Sequence, residues 1–230
     1  MQKHTLKYVL LTVLFCLVLL PTASRAAEVT IDLNNVYSGG APSGPPPWAT
    51  LTFTDVGPDQ VLLTLSGGGI IDPEFISQFS FDYNPSKLLS DLSFSLQNGV
   101  PFASVSADAN SEKAGPIHTF DVSLDYATSN KGDRFGADAI TEILISAPAG
   151  DHLSALDFDF STPYNNLPSF AAAHVQGVPG DGGSGWIDGT GATVTKGSSV
   201  PEPASMLLMS LGVAGLGLGR RLRKKMRKTG

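Results

Sequence analysis

Short runs in which apolar and polar residues alternate recur between residues 27 and 195, and this period of two constrains the fold more than any other feature. Because successive side chains of a strand point to opposite faces of a sheet, each run predicts a β-strand with one apolar face. Clusters of Gly, Pro, Asn and Asp separate the runs, as is typical of turns. The runs lie at residues 29–34, 50–54, 61–65, 79–83, 92–96, 120–126 and 156–160, with further candidate strands at 140–146 and 171–176.

About nine or ten strands of this kind need a second sheet against which to bury their apolar faces. The sequence therefore predicts an all-β fold: a single antiparallel β-sandwich domain of the jelly-roll kind over residues 27–195. The phenylalanines at the inward positions of the runs are expected to form its core. Only residues 73–78 suggest a helical turn, and no repeat of about 20–50 residues indicates a solenoid.

The charge of the chain is unevenly distributed. The net charge of −6 combines +3 over residues 1–26, −15 over residues 27–199 and +6 over residues 200–230. An acidic block thus lies between two basic ends, which argues against a nucleic acid as partner. The single Cys excludes an internal disulfide framework and a cysteine-rich zinc module.

The pattern of the first basic end, residues 1–26, predicts an export signal. Two lysines precede an uncharged apolar run at residues 9–20, which is too short for a comfortable membrane span of about 20 residues. Ser24 and Ala26 place small side chains at positions −3 and −1 of a cut after Ala26. We therefore predict that residues 1–26 form a helical signal peptide that signal peptidase removes.

The second basic end follows another apolar run. Pro201, Glu202 and Pro203 precede residues 204–219, which carry no charge and would span about 24 Å as a helix. We predict a transmembrane helix here, after a Ser/Pro stalk at residues 196–203. The basic tail at residues 220–230 should stop transfer and stay in the cytoplasm because positive charge is retained there. Its basic residues are Arg220, Arg221, Arg223, Lys224, Lys225, Arg227 and Lys228.

This order of Pro-Glu-Pro, short apolar span and basic cluster resembles the PEP-CTERM sorting signal, which occurs on exported proteins of Gram-negative bacteria that make exopolysaccharide. The resemblance implies that Pro201, Glu202 and Pro203 are recognised by exosortase, a membrane transpeptidase. It also implies transient anchoring in the inner membrane, with the domain in the periplasm, before transfer to the outer surface or the extracellular matrix. The middle of the chain resembles other PEP-CTERM proteins of unassigned activity at residues 49–57, 61–65, 74–81, 173–176 and 183–186.

Few residues suggest catalysis or metal binding. His118, His152 and His174 match no zinc spacing, and His118 falls on the polar, solvated face of its strand. Residues 182–185 approach a nucleophile elbow, but Trp186 holds the position where that motif needs Gly, so a flexible turn is the simpler interpretation.

Two carboxylates form a further candidate site. Asp157 and Asp159 would lie about 7 Å apart on one strand face, since each residue advances a strand by roughly 3.4 Å. Such a pair suits glycoside hydrolysis or calcium binding, although a solvated strand face is the more common arrangement.

Two further features bear on ligand binding. Thr50, Thr52 and Thr54 form a single T-x-T-x-T rank, whereas ice-binding surfaces use such ranks on several strands. Trp48 and Trp186 fall in predicted loops, where exposed rings could stack on sugars. Large aromatic residues also often only close the end of a sandwich.

The sequence favours an exported, non-enzymatic protein of the cell surface or extracellular matrix that is associated with exopolysaccharide and needs no cofactor. A carbohydrate-binding or calcium-binding β-sandwich module is the alternative. An ice-binding protein and a hydrolase are the more remote ones.

Overall fold

Two antiparallel sheets carry the apolar faces that the alternating runs predict. The computed structural model describes residues 26–129, 131–161, 163, 168–180 and 183–196. Within these residues the chain is all-β, with three short 3-10 helices at Leu89–Asp91, Lys131–Asp133 and Ala155–Phe158. The strands are β1 (Ala27–Leu33), β2 (Asn35–Gly39), β3 (Ala49–Gly57), β4 (Gln60–Ser66), β5 (Phe75–Phe81), β6 (Ser93–Gly99), β7 (Ser104–Ala114), β8 (His118–Asp125), β9 (Phe135–Gly136), β10 (Ile140–Ser146), β11 (Ala171–Gln176), β12 (Ser184–Gly189) and β13 (Ala192–Lys196).

The strands divide between sheet A, in the order β13-β1-β3-β4-β10-β6, and sheet B, in the order β2-β12-β11-β5-β8-β7. The short strand β9 also belongs to sheet B: it pairs with β5 but stands outside this linear order. Hairpins join β3 to β4, β7 to β8 and β11 to β12, whereas most other connections cross between the sheets. The all-β antiparallel prediction is confirmed, and the jelly-roll connectivity stays a prediction.

One apolar core lies between the sheets. The Phe53 ring from sheet A stacks on Phe158 with centroids 4.3 Å apart, and it meets Phe81 from sheet B edge-on at 5.2 Å. The inward residues of β1, β3 and β4 contribute fully buried side chains, whereas the residues between them are half-buried or exposed. The predicted alternation of these strands is therefore confirmed.

A second, smaller cluster forms on the outer face of sheet B. Here Ala114, Phe120 and Ala172 pack with Tyr37 and Trp186. The β7–β8 hairpin folds back across this face because its ladder shifts register between Ala107 and Glu112. The Tyr37 hydroxyl donates to the Ala114 carbonyl at 3.0 Å. Phe120 thus belongs to this outer cluster and not to the main core, where the sequence placed it.

Two predicted elements are wrong. Residues 156–160 were expected to be a strand, but Ala155–Phe158 form a 3-10 helix, which Ser154 and Asp157 close with a capping box. Residues 73–78 were expected to be a helical turn, but strand β5 begins at Phe75. Its burial pattern lacks alternation because the core covers one face and the β7–β8 hairpin contacts the other.

Other differences arise at sheet edges. Strand β6 is an edge strand whose residues are almost all exposed, and Leu96 keeps 38% of its surface accessible although the alternation placed it inside. Strands β2, β7, β9, β12 and β13 were not predicted. The alternation of β7 and β13 was missed, because most of its apolar positions hold only Ala.

The packing of the hairpin on sheet B is testable at one glycine. A Cβ added at Gly115 would lie 3.1 Å from the Trp186 ring. We expect Gly115→Ala to lower the free energy of unfolding by about 1 kcal/mol more than Gly183→Ala, since overpacking adds to the backbone cost. Gly183 is the matched control: its φ is +64° against +65° at Gly115, and its Cβ would meet nothing within 4 Å. If urea denaturation shows that both variants lose the same free energy of unfolding, the packing of Trp186 against Gly115 is contradicted.

Candidate functional site

The residues of the sorting prediction lie outside the described part of the chain. These are Ser24, Pro201–Pro203, the apolar segment 204–219 and the basic residues of 220–230. Ala26, the predicted −1 residue, is the first described residue and is half-buried. Among the described residues, no helix has the length and apolar character needed to cross a membrane.

The carboxylate pair at Asp157 and Asp159 does not lie on a strand face. Asp157 is buried, and its two oxygens accept hydrogen bonds from Asn84 at 2.8 Å, Lys87 at 2.6 Å and the Ser154 backbone at 2.9 Å. The expectation of a solvated face is therefore wrong for Asp157. Asp159 is half-buried, and desolvation raises its pKa. The described residues hold no group of three or more His, Cys, Asp or Glu that could bind a metal ion.

His118 is buried, which corrects its expected position on a solvated face. Its ring meets Tyr37 edge-on at 4.7 Å, and Nε2 lies 3.8 Å from Asp188 Oδ2. Burial lowers the pKa of His118, and the nearby Asp188 carboxylate opposes this shift. His118 lies two residues before Phe120 on β8, so the two side chains share a strand face, and the folded-back hairpin brings this face against Tyr37.

His174 forms a contact that the sequence did not reveal. Its Nδ1 lies 3.0 Å from the Ser77 hydroxyl, where a register shift between His174 and Val175 brings β5 and β11 out of step. The pair resembles a nucleophile and its base, but the buried Ser77 hydroxyl also contacts the His174 carbonyl and the Gln176 amide. The His174 ring stacks on Trp186 at 4.5 Å. These contacts fit a structural bridge across the bulge.

Neither tryptophan offers a free ring in a loop. Trp48 is buried, and its indole N–H donates to the Gly44 carbonyl. Trp186 lies in strand β12, half-buried between His174 and the β7–β8 hairpin. Ser184, the serine of the near-elbow motif, is the first residue of the same strand. The predicted loop position is confirmed for Trp48 and wrong for Trp186, and the predicted exposure is wrong for both rings.

The described part of the chain has a small cleft of about 200 Å³. This is below the volume of about 300–1,000 Å³ that is typical of small-molecule sites. Burial raises the pKa of Tyr83 in this cleft to about 12, so its hydroxyl keeps its proton at neutral pH. The lining residues are Tyr83, Ser86, Lys87, Leu88, Asp91, Ala147 and Asp151.

The outer face of sheet A carries threonines on four neighbouring strands. In the central row Thr193, Thr30, Thr52 and Thr64 pair directly across β13, β1, β3 and β4. Neighbouring strands of a sheet lie about 4.8 Å apart, and alternate residues of one strand about 7 Å apart. The threonines therefore form a two-dimensional array. We call it the threonine face: Thr30, Thr50, Thr52, Thr54, Thr64, Thr193 and Thr195.

The chemistry of the threonine face is that of hydroxyl and methyl groups. The Thr30 and Thr52 hydroxyl oxygens lie 3.4 Å apart, and the Thr50 hydroxyl donates to Asp32 at 3.1 Å. Three carboxylates also point outward on this side of sheet A, from Glu28, Asp32 and Glu142, and no outward position of its described strands holds Lys or Arg. Only the rank on β3 was visible in the sequence, since the other strands contribute one or two threonines each.

The environment of His174 predicts how stability depends on pH. Burial lowers the pKa of His174 below its usual 6.5, so the unfolded state binds more protons as the pH falls through about 6.5. We expect stability in urea denaturation to fall between about pH 7 and pH 5.5, and His174→Gln to make this fall shallower. His152→Gln is the control because the His152 side chain is exposed, and it should keep the parent slope. An unchanged slope in His174→Gln would contradict the burial of this ring.

Comparisons with known proteins address the end of the chain that the structure does not describe. A family model, the PEP-CTERM protein-sorting motif, matches residues 199–224. The comparison with curated proteins and the comparison with solved structures each found no match. A PEP-CTERM signal implies export, membrane-associated sorting and processing by exosortase. Residues 199–224 therefore carry a PEP-CTERM protein-sorting motif, and the chain is an exported protein that exosortase sorts.

Proposed function

We propose that the chain is a non-enzymatic protein of the cell surface or extracellular matrix that binds exopolysaccharide through its threonine face. The observation that carries this proposal is the array of threonines paired across β13, β1, β3 and β4. Sugar hydroxyls donate and accept hydrogen bonds, and so do threonine hydroxyls. Carboxylates also lie within the array, since Glu28 pairs with both Thr195 and Thr54. Like the threonine hydroxyls, they can accept hydrogen bonds from a sugar.

The charge of the exported domain agrees with an extracellular role. Residues 27–199 contain twenty acidic and five basic residues. Such a charge keeps a protein soluble and permits contacts with an anionic polymer that are bridged by cations. In this proposal residues 204–219 anchor the chain in the inner membrane only until exosortase acts, and the domain then moves from the periplasm to the outer surface.

The surroundings of the reactive side chains support a non-enzymatic role. Asp157 is held by Lys87 and two other donors, and Ser77 is buried with three hydrogen-bond partners. Neither group lines the described cleft. The two tryptophans form no exposed platform, so the sugar-binding proposal rests on hydroxyls and not on aromatic stacking.

Ice binding is a second candidate function, and the threonine face is what favours it. The sequence shows one T-x-T-x-T rank, whereas the structure aligns threonines from four strands. A flat, regular array of hydroxyl and methyl groups is the surface that could order water. If the protein inhibits ice recrystallisation and does not bind polysaccharide, this candidate replaces the first.

The polysaccharide proposal is tested by removing hydroxyls and keeping side-chain shape. We expect Thr30→Val, Thr52→Val and Thr64→Val together to weaken binding to purified host exopolysaccharide at least tenfold, as measured by cosedimentation. Valine favours strands as threonine does, so the sheet should persist. The control is Thr128→Val, whose side chain is exposed in a loop away from sheet A. Binding that survives the triple substitution would contradict the proposal.

The sorting step has its own test in the native host. We expect intact-mass analysis of the mature protein to show that residues 204–230 have been removed. Pro201→Ala should leave them attached, because the Pro-Glu-Pro motif is the recognition element. A mature chain that keeps these residues, together with normal sorting of Pro201→Ala, would contradict processing by exosortase.

A further inference from the structure

Asp55 occupies an unusual place for a carboxylate. It follows the core residue Phe53 by two positions on β3, so it lies on the inward side of the sheet. Its Oδ1 accepts from the Ala155 backbone at 2.6 Å, and its Oδ2 accepts from the Ser154 hydroxyl at 3.4 Å. Oδ2 also accepts from the backbone nitrogen of Ala27 at 3.0 Å.

Among the side chains that the structure describes, none gives Asp55 a basic partner. All three groups that bind it are uncharged as long as Ala27 is joined to Ala26 by a peptide bond. The ion pairs of the described residues join Lys87 to Asp157 and His118 to Asp188. The three hydrogen bonds to Asp55 are charge-assisted because the acceptor is a carboxylate. An ammonium donor in one of them would add a full opposite charge.

Ala27 is also the residue that the predicted signal cleavage would expose. A cut after Ala26 hydrolyses the Ala26–Ala27 peptide bond: water adds, Ala26 leaves with a carboxylate, and the Ala27 nitrogen becomes an ammonium group. We propose that Asp55 is the receiving site for this new amino terminus. Processing then replaces the uncharged amide donor, 3.0 Å from Asp55 Oδ2, by an ammonium group that forms an ion pair with it. The inference rests on the proposed export route and on cleavage after Ala26.

The positions of Ala27 and Asp55 in the fold make their ion pair a stabilising contact of the folded domain. Ala27 begins β1, Asp55 lies near the end of β3, and Ala155 begins the 3-10 helix that brings Phe158 into the core. One carboxylate thus joins three elements. The Asp55 carboxylate already lies within hydrogen-bond distance of the Ala27 nitrogen, so the new ammonium would have a charged acceptor in place. The processed protein should therefore be more stable than the same fold with a blocked amino terminus.

The test compares free and blocked amino termini in the chain Ala27–Gly230, held in mild detergent. One form begins with a free Ala27, released from a cleavable fusion, and the other carries an acetylated Ala27. Acetylation keeps the N–H donor and removes only the charge, as the peptide bond to Ala26 does in the precursor. We expect the folding equilibrium constant of the free form to be at least tenfold larger in urea denaturation.

Substitution of Asp55 completes a double-mutant cycle. Asp55→Asn should abolish the difference between free and acetylated chains. Asp32→Asn, the control on the exposed side of β1, should leave the difference intact. If Asp55→Asn fails to fold, the acetylation result alone decides. Equal stabilities of the free and acetylated forms would overturn the proposal.

Signal cleavage after Ala26 and binding of the new amino terminus to Asp55 are tested by different measurements. Amino-terminal mass analysis of the mature protein from the native host tests whether Ala27 is the first residue. A different first residue would overturn the proposal, even if exosortase sorting and polysaccharide binding both hold. A chain that begins at Ala27 but shows no effect of acetylation would overturn the docking while leaving export intact.

Discussion

The apolar core shared by the two sheets is the interaction on which the rest of the structure depends. Strands β1, β3, β4 and β10 each turn an apolar face inward, and the stack of Phe53 on Phe158, with Phe81 edge-on, fills the space between the sheets. Phe158 reaches this space from a 3-10 helix and not from a strand, so the capping box of that helix and its contact with Asp55 help to complete the core. Asp55, Ser154 and Asp157 therefore hold the helix that places Phe158 in the core.

The two outer faces of the sheets differ in how they are used. The β7–β8 hairpin covers the outer face of sheet B, and it buries His118, Phe120 and part of Trp186. The outer face of sheet A carries no such cover among the described residues, and its threonines are half-buried or exposed. This face exposes Ile140 on β10, whereas on β13, β1, β3 and β4 it presents mainly hydroxyl groups. That asymmetry is why we place the proposed binding function on sheet A.

The sequence predicted those parts of the fold where one face of a strand is buried and the other is not. Strands β1, β3, β4, β10 and β11 were found from alternation or from apolar runs. Prediction failed at His118, which shares a strand face with Phe120 and is buried with it, and at Phe158, where a short helix supplies a core ring. The threonine face was only partly visible, because register between distant strands brings Thr30, Thr64 and Thr193 beside Thr52. The sorting motif was predictable because it is local and linear.

The most direct measurement of the central claim is an NMR titration of the domain with oligosaccharides from the host exopolysaccharide. We expect the threonine methyl and amide signals of the threonine face to shift together, with Thr30, Thr52 and Thr64 moving most. Signals of sheet B, including the Trp186 indole, should stay in place. Shifts confined to sheet B, or no shifts at saturating oligosaccharide, would contradict the account.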